Sequence, residues 1–120
     1  MQVVCVVDDD SSVRKSLANL LKSAGYRPQC FASGEDFLAC SAMHTAACVV
    51  LDLCMPGLSG HEVQQRLRLM APELPVVCIS ANGEAARLRC LAEGAASFLS
   101  KPFTGEALLG VVERLAHQPR

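Results

Sequence analysis

The residues best equipped for chemistry in this chain are carboxylates: the run Asp8-Asp9-Asp10 and, far from it in sequence, Asp52, with Ser80 and Lys101 further on. Brought within a few ångströms, Asp8, Asp9 and Asp52 would repel one another, and one would hold a proton unless a cation compensated. Hard oxygen ligands in an incomplete cage suit Mg²⁺, which keeps waters and leaves room for phosphate oxygens. A carboxylate can also act as a nucleophile, which makes Asp52 a candidate to carry a phosphoryl group as an aspartyl phosphate. In-line phosphoryl transfer asks a protein mainly for positioning and charge neutralisation, which Mg²⁺ and Lys101 can supply. The Ser80 hydroxyl can donate a hydrogen bond to a phosphoryl oxygen. That bond exists only after transfer, so it can bias two conformations of the following loop.

Taken singly, each of these residues has a plainer meaning. An acidic cluster after an apolar run is commonly a solvated helix start. A lone Asp at a strand end is commonly a cap, and Lys-Pro a turn. Their joint placement decides the matter, and that placement depends on the elements carrying them.

Short apolar runs recur with helical segments between them. Val3 to Val7 reads as a strand, followed by Ser11 and Ser12 as helix N-caps and by Val13, Leu17, Leu20, Leu21 and Ala24 at helical spacing, with Gly25 as the C-terminal stop. Arg27 to Phe31 is a less apolar strand, and Ser33 opens a short helix carrying Phe37 and Leu38. Ala46 to Leu51 reads as the most buried strand, and the turn Pro56-Gly57 leads to a helix near Ser59. Ser59 and Glu62 form a capping-box pattern there, with Val63, Leu67 and Met70 as the apolar stripe. Pro75 to Ile79 is the fourth strand, Glu84 to Glu93 a helix with Leu88, Leu91 and Ala92 on one face, and Ser97 to Leu99 the fifth strand. The last helix spans Thr104 to His117, with Leu108, Val111, Val112 and Leu115 facing inward.

Strands alternating with helices, the strands nearly all apolar, predict an α/β fold: a parallel sheet with helices on both faces. In such sheets the binding crevice lies beyond the carboxyl ends of the strands. Asp8 and Asp9 follow the first strand, Asp52 ends the third, Ser80 follows the fourth and Lys101 the fifth, so all of them fall at one edge.

Composition narrows the function classes. The 120 residues suit one domain, a net charge of −1 argues against a nucleic-acid footprint on this segment, and no apolar run is long enough to span a membrane. The start of the chain lacks the basic flank of a signal peptide, which makes the expected location cytoplasmic. Seven cysteines include no C-x-x-C pair, and Cys5, Cys48 and Cys78 sit within Val-rich runs as small buried hydrophobes.

The segments Val6 to Asp10 (V-V-D-D-D), Val49 to Gly60 (V-V-L-D-L-C-M-P-G-L-S-G), Val76 to Ala81 (V-V-C-I-S-A) and Phe98 to Phe103 (F-L-S-K-P-F) resemble the receiver domains of two-component response regulators. The resemblance covers essentially the whole chain and implies a flavodoxin-like strand order 2-1-3-4-5 with five helices. It implies that Asp52 is the phosphoacceptor, Asp9 a direct Mg²⁺ ligand, Asp8 a ligand acting partly through water, and Cys54 a donor of its backbone carbonyl to the metal. It also implies that Ser80 reorients toward the phosphoryl group, that Lys101 pairs with that group, that the Lys101-Pro102 bond is cis, and that Phe98 is an aromatic switch. Ser80 to Lys101 is slightly shorter than the commonest pattern, which leaves the signalling surface there open to difference. The Cys54 thiol beside the site can influence phosphoryl lifetime.

The function implied is that of a signalling switch, not an enzyme beyond assisting its own phosphorylation and dephosphorylation. The expected donor is a sensor histidine kinase. Homodimerisation is expected through helix 4, strand 5 and helix 5. The pattern around Val13-Arg14-Lys15-Ser16-Leu17 is most similar to receivers joined to LuxR-type helix-turn-helix outputs, so residues 1–120 are expected to be a single receiver domain cut from a longer transcriptional regulator. DNA would then be bound only through an output domain absent here, with His117 to Arg120 as the linker start. A haloacid-dehalogenase-like phosphatase is disfavoured because Cys54 stands where such enzymes want an acid. An adaptor with a vestigial site is disfavoured by the intact set Asp8, Asp9, Asp52, Ser80 and Lys101.

Overall fold

The computed structural model describes residues 1–81 and 83–117. Five parallel strands, β1 (Val3–Val7), β2 (Arg27–Phe31), β3 (Cys48–Asp52), β4 (Val76–Ser80) and β5 (Ser97–Ser100), form one sheet in the order β2-β1-β3-β4-β5. The helices are α1 (Ser11–Ser23), α2 (Gly34–Ala39), α3 (Gly60–Met70), α4 (Gly83–Ala92) and α5 (Gly105–Ala116), and a short 3₁₀ turn (Ser41–His44) follows α2. This is the flavodoxin-like arrangement expected from the resemblance. The linker reading of the last residues lies largely outside the described ones.

Two hydrophobic layers sandwich the sheet, because successive strand residues point to opposite faces. Cys5, Val7, Val49, Leu51 and Cys78 pack under α2, α3 and α4 through Phe37, Val63, Leu67 and Cys90. Val4, Val6, Cys48, Val50, Val77 and Ile79 pack under α1 and α5 through Leu17, Leu21, Leu108, Val112 and Leu115. β3 and β4 are buried at every position, and so read as unbroken apolar runs. β2 pairs only with β1, which lets Pro28 occupy it without disrupting a ladder on its outer edge.

Local signals set the helix ends. Ser33, Ser59 and Thr104 cap α2, α3 and α5, and Ser59 and Glu62 complete a reciprocal capping box. Gly25, at φ +89°, closes α1 in the left-handed region that favours glycine.

Four expectations are corrected. The N-cap of α1 is Asp10, whose Oδ1 accepts from Ser12 N (2.8 Å) and Val13 N (3.3 Å), leaving Ser11 and Ser12 inside the helix. β3 and β4 are shifted toward their carboxyl ends, to Cys48–Asp52 and Val76–Ser80. Met70 is 43% exposed, and the buried side of α3 is Gly60, Val63, Gln64 and Leu67. On α4, Leu88 is 57% and Leu91 36% exposed, Ala92 is exposed too, and the buried residue is Cys90.

Candidate functional site

The sheet order reverses direction at β1 and β3, which lie side by side at its centre. Val7 pairs with Leu51 in register, and one residue beyond on each strand come Asp8 and Asp52. This is the switch-point crevice where an open α/β sheet receives ligands. Asp8 and Asp52 are buried at 0% and 3% exposure, whereas Asp9 is exposed. One carboxylate oxygen from each of the three lies within 4.8 Å of the others.

Backbone groups aim the carboxylates. Asp10 N donates to Asp8 Oδ1 at 2.9 Å, and Cys54 N donates to Asp52 Oδ1 at 3.1 Å. Asp8 Oδ2 is buried and accepts no hydrogen bond among the described residues. Lys101 Nζ stands 3.5 Å from that oxygen and 3.7 Å from Asp52 Oδ1. Burial pushes the Asp52 carboxyl up to about 6, the Asp8 and Asp9 charges add to the rise, and Cys54 N–H and the Lys101 ammonium oppose it. One ammonium thus faces more carboxylate charge than it can balance. The oxygen-rich, charge-deficient set, with a buried acceptor left open, fits a hard divalent cation.

Ser80 ends β4, is 1% exposed, and its carbonyl accepts from Lys101 N at 2.9 Å, which ties the β5–α5 connection to the crevice. The Lys101-Pro102 peptide is cis, as expected from the resemblance. Phe98 is half-buried against the α3/α4 layer. Cys54 lies two residues beyond Asp52, with its side chain exposed. A cleft of about 590 Å³, lined by Ser12, Val13, Leu17, Lys101, Pro102 and Phe103 among others, opens beside the lysine.

Gly60 lets this geometry close. A Cβ there would lie 2.5 Å from Leu53 Cα and would also strike the Asp52 carbonyl oxygen. The first turn of α3 therefore packs directly on the backbone that carries Asp52.

Two residues with a structural bearing on the site were not recognised from sequence. Arg14 Nη1 donates to the Asp8 carbonyl at 2.7 Å and so fastens the β1–α1 connection from α1. Gln64 sits in the core at 1% exposure between α3, β4 and α4. Gln64 left a trace: it occupies an inward position of the stripe Gly60, Val63, Leu67, where a polar residue demands partners. Arg14 left none, since a cation on the second turn of a helix is ordinary.

The cysteines behave as small core residues. Cys5, Cys48, Cys78 and Cys90 are buried, no disulfide joins any two cysteines among the described residues, and burial pushes the Cys5 and Cys48 thiols up to about 12. No helix among the described residues is long and apolar enough to cross a membrane.

Comparison with known proteins agrees with this geometry. The family model for the response regulator receiver domain matches residues 4–113. The chain is 34% identical over 122 residues to response regulator protein TodT of Pseudomonas putida, covering 98% of this chain and 54% of TodT. It is 33% identical over 116 residues to transcriptional regulatory protein FixJ of Bradyrhizobium diazoefficiens, covering 96% of this chain and 57% of FixJ. Among solved structures, the BeF3-activated DrrB receiver domain superposes with a TM-score of 0.89 at 32% identity, over 98% of this chain and 99% of that one. The chain spans about half the length of the curated relatives it matches. With its sheet order, its acidic switch-point crevice and a family match over nearly its whole length, this chain belongs to the receiver domains of two-component response regulators.

Proposed function

We propose that Asp52 accepts a phosphoryl group from a sensor histidine kinase, and that Asp8, Asp9, Asp52 and the Cys54 carbonyl hold the Mg²⁺ that assists it. The observation that carries this reading is the buried pair Asp8 and Asp52 sharing one lysine, with Asp8 Oδ2 accepting no hydrogen bond among the described residues. When bound, the cation neutralises the carboxylates and takes up charge on phosphoryl oxygens. Asp52 attacks phosphorus through a carboxylate oxygen, and the donor leaves with the bonding pair. The Cys54 N–H keeps the acceptor carboxylate oriented, and Lys101 turns toward the new phosphoryl oxygens. Ser80 donates its hydroxyl to the same group, and Phe98 follows the rearrangement as the switch. The cleft beside Lys101 offers apolar surface to the donor protein next to the reacting oxygen.

The domain is a switch whose own chemistry is confined to gaining and losing its phosphoryl group. The exposed pair Leu88 and Leu91 supports a homodimer formed through α4, β5 and α5 on phosphorylation. The length of the relatives supports residues 1–120 as the receiver part of a longer cytoplasmic transcriptional regulator, whose output domain would contact DNA.

Intact-mass spectrometry after incubation with acetyl phosphate, with and without Mg²⁺, tests the reading on wild type and Asp52→Asn. A single phosphoryl adduct requiring both Mg²⁺ and Asp52 is expected. No adduct, or one indifferent to metal and mutation, would leave a phosphorylation-independent adaptor as the better account.

A further inference from the structure

α4 is held unevenly along its length. Its one buried residue is Cys90, in the C-terminal half, flanked by exposed Arg89, Leu91 and Ala92; in the N-terminal half Ala86 packs partly against the core, and Glu84, Ala85, Arg87 and Leu88 are exposed. The ties that join this helix to its neighbours gather at the same end. Gln64 of α3 donates from Nε2 to the Cys90 carbonyl at 2.7 Å, and its Oε1 faces the Cys78 thiol of β4 at 3.7 Å. The Cys90 carbonyl also accepts from Ala95 N at 3.0 Å as the chain leaves the helix. Just past α4, Glu93 Oε1 pairs with Arg89 Nε at 2.8 Å; it also stands 3.4 Å from His61 Nδ1 of α3, a buried nitrogen that makes no hydrogen bond among the described residues and whose charged form burial disfavours.

The other end differs. Among the described residues, no side-chain hydrogen bond or ion pair links the first two turns of α4 to another element. The Glu84–Arg87 pair stays within the helix and is exposed, and a Cβ on Gly83 would meet nothing within 4 Å. That loosely held end follows closely on Ser80, at the reaction edge of β4.

A buried amide is tolerated when its donor and acceptor are both satisfied, and a satisfied one specifies a single arrangement of the elements it joins. Gln64 joins three: α3, whose first turn packs on the Asp52 backbone; β4, which ends in Ser80; and the last turn of α4. We infer that Gln64 is a positioning residue that pins the C-terminal turn of α4 to α3 and β4, so that α4 moves as a lever with its N-terminal turns as the free arm. The pin is a property of the unphosphorylated fold. Only the expectation that the free arm moves on filling the site rests on Asp52 being the acceptor.

Residue-resolved amide hydrogen exchange on the unphosphorylated protein tests the pin. In wild type, protection should rise along α4 and be at least tenfold greater for the amides of residues 90–95 than for those of 85–88. In Gln64→Met, which keeps the volume but removes both hydrogen bonds, protection at 90–95 should fall at least tenfold while α1, α5 and β1 keep theirs. A flat profile along wild-type α4, or an equal loss everywhere in the variant, would overturn the inference. If Gln64→Met does not fold, the wild-type profile decides alone.

A second readout separates this inference from the phosphoacceptor reading. With beryllofluoride and Mg²⁺, backbone shift changes in wild type should concentrate at 81–88 and be small at 91–95, and in Gln64→Met they should extend through 95. Equal changes along α4 in wild type would overturn the lever. Absence of any beryllofluoride response would overturn the acceptor reading and leave the exchange result standing.

Discussion

Lys101 Nζ lies 3.5 Å from Asp8 Oδ2, a buried oxygen that accepts no hydrogen bond among the described residues. The same ammonium stands 3.7 Å from Asp52, so one flexible cation, itself 31% exposed, holds two buried carboxylates that would otherwise repel. On the proposed reading this side chain moderates the charge of the two carboxylates before transfer and is at hand to pair with the phosphoryl oxygens after it.

Removing that cation should not weaken metal binding. Lys101 repels any divalent ion entering between Asp8 and Asp52, so Lys101→Ala should bind Mg²⁺ at least as tightly as wild type by calorimetric titration. The same variant should still label at Asp52 yet lose the phosphorylation-dependent gain in partner affinity or dimerisation. A tenfold loss of Mg²⁺ affinity would show that Lys101 builds the metal site rather than reading it.

The buried Asp52 charge should make the metal-free protein sensitive to pH. A free Asp titrates near 4, and burial raises Asp52 to about 6, so between these values the folded chain holds a proton that the unfolded chain has released. Through this group stability increases as pH falls from about 7 to 4 and is lost as pH rises through 6. Asp52→Asn removes the buried charge and keeps an acceptor for Cys54 N–H. It should therefore stabilise the metal-free protein at pH 7 by about 1–3 kcal/mol, with a smaller advantage at pH 5. Thermal unfolding of both proteins in chelator at the two pH values checks this, and equal gaps would contradict it.

Asp10 should separate from its two acidic neighbours in function. Its side chain caps α1, so Asp10→Ala should cost about 1 kcal/mol in denaturant unfolding. Labelling by acetyl phosphate should be unaffected, because the donor to Asp8 is the Asp10 backbone N–H. Loss of labelling in a folded Asp10→Ala protein would move this residue into the site.

Gly60 should be intolerant of even one methyl group. In Gly60→Ala the new carbon meets backbone, which cannot rotate aside, so either α3 or the Asp52 strand end must shift. A loss of about 3 kcal/mol is expected, together with weaker Mg²⁺ binding. Calorimetry and metal titration read the two effects, and a variant of wild-type stability would show that the close approach is not retained in solution.

Arg14 should act on the metal through the backbone. Arg14→Met keeps the stem against α1 but releases the Asp8 carbonyl. Mg²⁺ affinity should fall several-fold as the β1–α1 connection loosens, although a positive charge has been removed. Tighter binding would show that charge outweighs positioning at this residue.

Much of the molecule was legible because its decisive signals are local. Runs such as Val3 to Val7 and Val76 to Ile79 declare buried parallel strands, and the placement of Asp8, Asp9, Asp52, Ser80 and Lys101 at strand ends puts them on one edge of any such sheet. Ser33, Ser59 and Thr104 marked their helix starts because a capping hydroxyl acts within three residues of itself. What the residues could not decide alone was set by contacts between distant segments. The apolar arc of α4 predicts an inward face through Leu88 and Leu91, but an arc does not say what lies against it. In the structure Cys90 takes the core, with its carbonyl accepting from Gln64 of α3, whose Oε1 in turn faces the Cys78 thiol of β4. The unequal burial of Asp8 and Asp9 likewise depends on the pairing of β1 with both β2 and β3, and Arg14 reaches the Asp8 carbonyl only once α1 has packed back on the sheet. Amino-acid order determined which groups would meet at the carboxyl edge. Tertiary packing decided which of them are desolvated, which cation they share and which helix is left with a free end, since those are properties of neighbours rather than of spacing.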